Sequence, residues 1–224
     1  MLLFRKVQLN KRHQTRKSIL MKMLYGFFIL QIILQSLTTR AQETDDLKIS
    51  IFPLTKEIYV HQSYKILDGK SFPSNGLIVN TSNNVVLIDA AWDNVQTQQL
   101  LQWIKSNLKK KVELAIISHS HDDRIGGIRI VLANGVKVIS TMLTAERAEK
   151  DGFPRPESIV PMKDSSFMIG KTEIETFYPG RGHSPDNIVV WLPDQKILFG
   201  GCLVKSAESA GLGNIADASL AEWP

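Results

Sequence analysis

The chain of 224 residues is 43% hydrophobic and 22% charged, which suits one sizeable globular domain and excludes a disordered or fibrous protein. Its formal charge of +5 and pI near 9.3 suggest a nucleic-acid partner only until the charges are located. Eight of the 27 basic residues and none of the 22 acidic ones lie in residues 1–41, so the rest holds 19 basic against 22 acidic side chains. A body of that sign has no footprint for a phosphate backbone, and no nucleic acid is expected as a partner.

Residues 1–41 have the layout of a signal peptide. Basic side chains run into an apolar block at 24–37, followed by Thr39-Arg40-Ala41, which puts small residues where a signal peptidase inspects the chain. Cleavage after Ala41 and delivery of residues 42–224 to the periplasm are expected, with Met21 and Met23 as alternative starts. The apolar block is shorter than the roughly 20 residues that span a bilayer, so no stable membrane span should remain.

Beyond a short polar lead, residues 47–54, 57–66, 76–80 and 85–90 alternate or are rich in β-formers. They predict an antiparallel meander with turns at Asp68-Gly69 and Ser82-Asn83-Asn84. Residues 69–75, with Phe72 and Pro73, read as a mobile hairpin tip. The period then changes: Leu100, Leu101, Ile104 and Leu108 share one face of a predicted helix over 95–108. Residues 112–118 form a short apolar strand, followed by a helix, a strand over 136–140, a charged helix over 144–150 and a Pro-rich loop. Strands return at 167–169, 172–178, 187–192 and 197–201, the last two joined by a turn at 193–196. Strands alternating with helices predict a layered α/β domain.

The apolar strand ends in His119-Ser120-His121-Asp122-Asp123. On extended backbone, side chains two apart point the same way, so His119 and His121 converge, and Asp123 continues the alternation. Three metal-capable groups at a strand exit predict a metal site. Catalytic zinc wants three protein ligands and an open position. His183, in the glycine-bearing loop 179–186, is the natural third. Cys202 is the sole cysteine, so it cannot bridge within the chain, and in an oxidising compartment a metal is its expected occupant. His61 reads as structural. No strand-to-helix elbow of the G-x-S-x-G kind is present, so Ser118, Ser120 and Ser206 are not expected to be nucleophiles.

The order H-S-H-D-D-R-I-G-G (119–127), G-H-S-P-D-N (182–187), G-G-C-L-V-K-S (200–206) and G-L-G-N (211–214) resembles the class B metallo-β-lactamases, in the subclass with a cysteine in the second zinc site. The resemblance covers residue 47 to the C-terminus. It implies a four-layer αββα sandwich and two Zn2+ ions. The first would be held by His119, His121 and His183, the second by Asp123, Cys202 and a late histidine that has no match. It places Lys205 on the substrate carboxylate, Asn214 near the lactam carbonyl as a catalytic and binding group, Asp123 as the catalytic residue that orients the nucleophile, and Asp89 as a buried support. The implied reaction is metal-assisted hydrolysis of the β-lactam amide, by a monomer acting on an antibiotic. Thioesterases and nucleases of this fold resemble one another in a histidine after the motif's aspartate, where this chain has Arg124, and in an aspartate where Cys202 stands. The expected alternatives are another hydrolase of the fold, a lactonase or thioesterase, or a zinc-binding remnant with little activity. Because no Gly-His-Gly type loop precedes Pro224, the C-terminal part is expected to be missing, leaving the second site short of a ligand.

Overall fold

A two-residue hairpin sets the first sheet. In the computed structural model, which describes residues 47–223 and the single position Gln31, strand β1 (Ser50–Pro53) pairs antiparallel with β2 (Ile58–Leu67), and β2 with β3 (Lys70–Asn80). Asp68 and Gly69 both have positive φ, 49° and 72°, the backbone a tight hairpin needs. The hairpin tip expected over 69–75 is therefore confined to Asp68 and Gly69, and residues 70–75 belong to the ladder. The ladder runs from Leu67↔Lys70 to Ile58↔Val79, with Pro73 inside it. Pro73 is tolerated because β4 (Val85–Ile88) pairs with β3 only over Leu77–Asn80, so no neighbour on that side needs its N–H. The signal-peptide reading of 1–41 falls outside the described residues, Gln31 apart.

From β4 onward the pairing turns parallel: β4 to β5 (Val112–Ile116), β5 to β6 (Lys137–Thr141) and β6 to β7 (Glu157–Val160), making seven strands in sequence order. Helix α1 (Asn94–Asn107) crosses between β4 and β5. Its N-cap Asp93 accepts from Gln96 N at 2.8 Å. Two short helices, α2 (Asp122–Ile125) and α3 (Ile128–Ala133), cross between β5 and β6, and α4 (Met142–Lys150), capped by Thr141, precedes β7. Strand β7 stands where a Pro-rich loop is expected: its four residues, alternately exposed and partly buried apart from Val160, carry too little pattern to register as a strand. A second sheet has the order β11-β10-β9-β8, from β8 (Ser165–Ile169), β9 (Thr172–Phe177), β10 (Val189–Leu192) and β11 (Ile197–Phe199).

Side-chain alternation divides the core in two. Ile78, Val85, Leu87, Ala115 and Ile117 face the helices and meet Leu100, Ile104, Ile128 and Val131. Their neighbours Leu77, Val79, Val86, Ile88, Leu114 and Ile116 face the other way and meet Ile174, Val190, Leu192 and Phe199 of the second sheet. Both faces of β4 and of residues 114–117 at the end of β5 are thus buried, as these unbroken apolar runs require. Helices lie outside the larger sheet and the two sheets pack face to face, which makes three of the four layers expected; among the described residues no helix covers the outer face of the four-stranded sheet. On the outer face of the four-stranded sheet Met168, Phe177 and Leu198 stand exposed.

Candidate metal centre

The cluster forms where the buried parallel strands β4 and β5 end. Asp89 follows β4 in a left-handed conformation, φ 65°, which turns its carboxylate back under the loop after β5. There it accepts from Ser118 N at 2.7 Å and Ser118 Oγ at 2.8 Å. Ser118 Oγ in turn lies 3.2 Å from His119 Nδ1, so the support reaches the first imidazole. Burial pushes the Asp89 carboxyl up to about 6, against the pull of Arg124 and the two Ser118 hydrogen bonds. Asp89 is thus buried beneath the cluster, in the position expected of a support.

His119, His121 and His183 form a triangle of rings with centroids 4.8, 5.0 and 4.9 Å apart, all near-perpendicular. His121 Nδ1 lies 3.0 Å from His183 Nε2, and the buried His119 Nε2 has no hydrogen-bond partner. Buried polar atoms are almost always satisfied, and three imidazoles around a common point fit a metal ligated at about 2.0–2.1 Å from each nitrogen. Burial drives His119 well below the ordinary histidine value, opposed by Asp123. Burial, reinforced by His121 and Lys205, takes His183 down to about 4. Neutral imidazoles are the form that ligates.

Asp123 arrives differently from the alternation argument. His121 has extended backbone, φ −71° and ψ 151°, and caps α2, so Asp123 lies in a helical turn and not two places further along a strand. That turn still brings it in. The ligand atoms of His119, His121 and Asp123 lie within 4.8 Å of one another, as do those of His119, His183 and Cys202. All five predicted ligands meet, with His119 common to both groups.

Between Asp123 and Cys202 sits the buried Arg124. Its Nε lies 3.0 Å from Asp123 Oδ2, its NH2 donates to Cys202 Sγ at 3.0 Å, and NH1 donates to Asn75 O. Burial works against ionisation of Asp123, but Arg124 and His119 overcome it and hold the carboxyl well below the usual range. Ser74 Oγ donates to the same carboxylate at 3.2 Å. The Cys202 thiol donates to Asp123 Oδ2 at 3.1 Å, and burial pushes it up to about 11 despite Arg124.

Lys205 shares with Asp123, Arg124 and Cys202 the wall of a cavity of about 430 Å³, where a bound anion would meet its ammonium. Asn214 is held elsewhere, in an exposed turn with its side-chain oxygen accepting from Ala216 N at 3.1 Å. Three contributors escape a reading of the sequence. Asp217 lies 3.2 Å from His121 Nε2, Asp186 accepts from Ser120 N at 2.9 Å, and Trp223 packs its ring 5.6 Å from that of His183. Asp186 stands in the G-H-S-P-D-N string and is the one with a visible signal; nothing in the sequence marks the other two.

The family model for the metallo-beta-lactamase superfamily matches residues 69–220. The chain belongs to the metallo-β-lactamase superfamily. Among its metallo-β-lactamase relatives is the type 2 enzyme of Bacillus sp. (strain 170), 49% identical over 175 residues that cover 78% of this chain and 68% of that one. A metallo-β-lactamase structure from Pontibacter korlensis superposes with a TM-score of 0.76 at 43% identity, covering 79% and 81% of the two chains. One from Pseudomonas aeruginosa, solved in a mono-zinc form, superposes with a TM-score of 0.73 at 37% identity, covering 79% of each chain. The family match takes in β3 to β11 and the histidine cluster, and this metallo-β-lactamase is a hydrolase.

Proposed function

We propose that the chain hydrolyses the amide bond of β-lactam antibiotics, with Zn2+ held by His119, His121 and His183, and that export to the periplasm by residues 1–41 makes this a resistance activity. The observation that carries the reading is the triangle of three imidazoles together with the buried, unpartnered Nε2 of His119. Zn2+ bound there supplies water activated at neutral pH and an electrophile for the carbonyl.

The chain's own residues contribute the rest. Asp123, kept ionised by Arg124, is an acceptor that orients the attacking water. Lys205, on the cavity wall, takes the substrate carboxylate. Cys202 and Asp123 are the remaining ligands for a second ion, but Arg124 already contacts both, which favours loading of the three-histidine position first. Asn214 contributes to the oxyanion only if its side chain leaves Ala216 N. The relatives' shared name supports the substrate class.

The test is hydrolysis of a chromogenic cephalosporin by the purified chain, with and without added zinc, beside His121→Ala. Zinc-dependent turnover that falls at least about 100-fold in the variant is expected, since a lost ligand removes the ion's fixed geometry. Turnover indifferent to zinc, or retained by His121→Ala, would refute it.

A further inference from the structure

One guanidinium joins four segments of the chain behind the histidine cluster. Arg147 lies on α4, where Thr144, Ala145 and Ala148 turn inward. Its Nε donates to Ser120 Oγ at 3.0 Å and lies 3.4 Å from Asp186 Oδ1, while its NH2 pairs with Asp217 Oδ2. Ser120 separates His119 from His121. Asp186 stands three residues after His183, is fully buried, and also accepts from Ser120 N at 2.9 Å and Ser184 Oγ at 2.8 Å. Asp217 reaches His121 Nε2 at 3.2 Å.

We propose that Arg147 is a positioning residue for the histidine cluster, fixing the ring of His121 and the separation of the loops that carry His119 and His183. This rests on the reading of the cluster as a metal site. A carboxylate accepting from one imidazole nitrogen leaves the other with its lone pair free, and so sets both tautomer and ring orientation. Asp217 on Nε2 leaves His121 Nδ1 as that nitrogen, and Nδ1 is the one 3.0 Å from His183 Nε2. Asp217 belongs to a segment with neither strand nor helix, so something else must hold it. Arg147 does so from a helix. The same guanidinium is the only cation contacting the buried Asp186 among the described residues, and its planar fork can serve several acceptors at once where a lysine ammonium offers a point charge.

Co(II) binding tests this without relying on turnover. The full chain is titrated with Co(II) and the visible ligand-field bands are followed, for wild type, Arg147→Leu and Arg147→Lys, with circular dichroism as the check on folding. Removing a group that orients a metal-ligating histidine costs about 10–100-fold in metal affinity. That loss is expected for Arg147→Leu, with shifted bands, and a smaller loss for Arg147→Lys. A folded Arg147→Leu that binds Co(II) within twofold of wild type, with the same bands, overturns the proposal. Should Arg147→Leu fail to fold, Arg147→Lys decides: wild-type affinity and bands overturn it, weakened binding with shifted bands supports it. A wild-type chain that binds no Co(II) overturns the metal reading itself and this inference with it, an outcome distinct from equal binding by all three proteins.

Discussion

His119 and His121 leave a strand buried on both faces and are braced from beneath by Asp89, whereas Cys202, Lys205 and Asn214 ride on residues 200–223, which form neither strand nor helix. On the first side Ser118, His119 and Ser120 are at most 2% exposed. On the second, positions 206–216 are all exposed, and the segment is tied to the rest through Cys202 with Asp123 and Arg124, Ser219 N with Gly182 O, and Asp217 with His121 and Arg147. The difference teaches a division of labour. The three histidines proposed to hold the first ion are preorganised by buried backbone, and Lys205 and Asn214, proposed to face a substrate, sit where the chain can change without disturbing the core.

Acid tests the buried side most severely. In the metal-free protein, burial takes His61 down to about 4, as it does His183, and His119 falls well below the ordinary 6.5. The unfolded chain therefore gains a proton at each as pH drops through about 6.5, while in the folded chain His61 and His183 take theirs up only near 4 and His119 stays neutral well below 6.5. The unfolded state binds more protons across that window, so stability falls with pH, by up to about 1.4 kcal/mol per unit for each histidine. Asp89, raised to about 6, has the opposite sign and offsets one of the three between about 6 and 3.8. A net drop in the urea midpoint from pH 7 to pH 5 is expected; a flat profile would mean the imidazoles are not sealed from water.

Asp89→Ala strikes the brace directly. It leaves Ser118 N and Oγ without their buried acceptor and takes a counter-charge 3.5 Å from the fully enclosed Arg124, at a cost of about 3–5 kcal/mol in denaturant unfolding. Asp217→Ala breaks an ion pair whose partners are 28% and 29% exposed and should cost under about 1 kcal/mol. Comparable losses in the two variants would erase the contrast.

The legible parts of the molecule share a physical cause: local pattern. Alternation and apolar runs locate the strands that bury both faces, and His119, His121 and Asp123 fall within five residues, so their convergence depends on little beyond the strand exit. Cys202 can be read from the absence of any other cysteine. Where position depends on contacts between distant segments, the sequence is mute. Arg147 looks like any charged helical residue until Ser120, Asp186 and Asp217 arrive from 27, 39 and 70 positions away. Asp123 reaches the cluster by a route the alternation does not describe, because a helix begins at Asp122 where continued extension is expected. The hairpin is hard to read because Pro73 normally ends a strand, and only the missing neighbour on its outer side makes it acceptable.

A pair of glycines measures the same contrast at its finest scale. Gly126 follows α2, and a Cβ there would sit on the Trp92 carbonyl oxygen and close to that of Asp122. Neither can retreat, because both belong to backbone that frames the cluster, so Gly126→Ala should cost about 1–3 kcal/mol and displace Arg124. At Gly211 a Cβ would find nothing within 4 Å, and the backbone has no positive φ. An added methyl there meets no neighbour and restricts only the unfolded chain, so Gly211→Ala should range from neutral to about 1 kcal/mol more stable. Denaturant unfolding of the two variants reads the difference. A loss at Gly211 approaching that at Gly126 would show that residues 200–223 are packed as firmly as the histidine loop, and the contrast between the two regions would not stand.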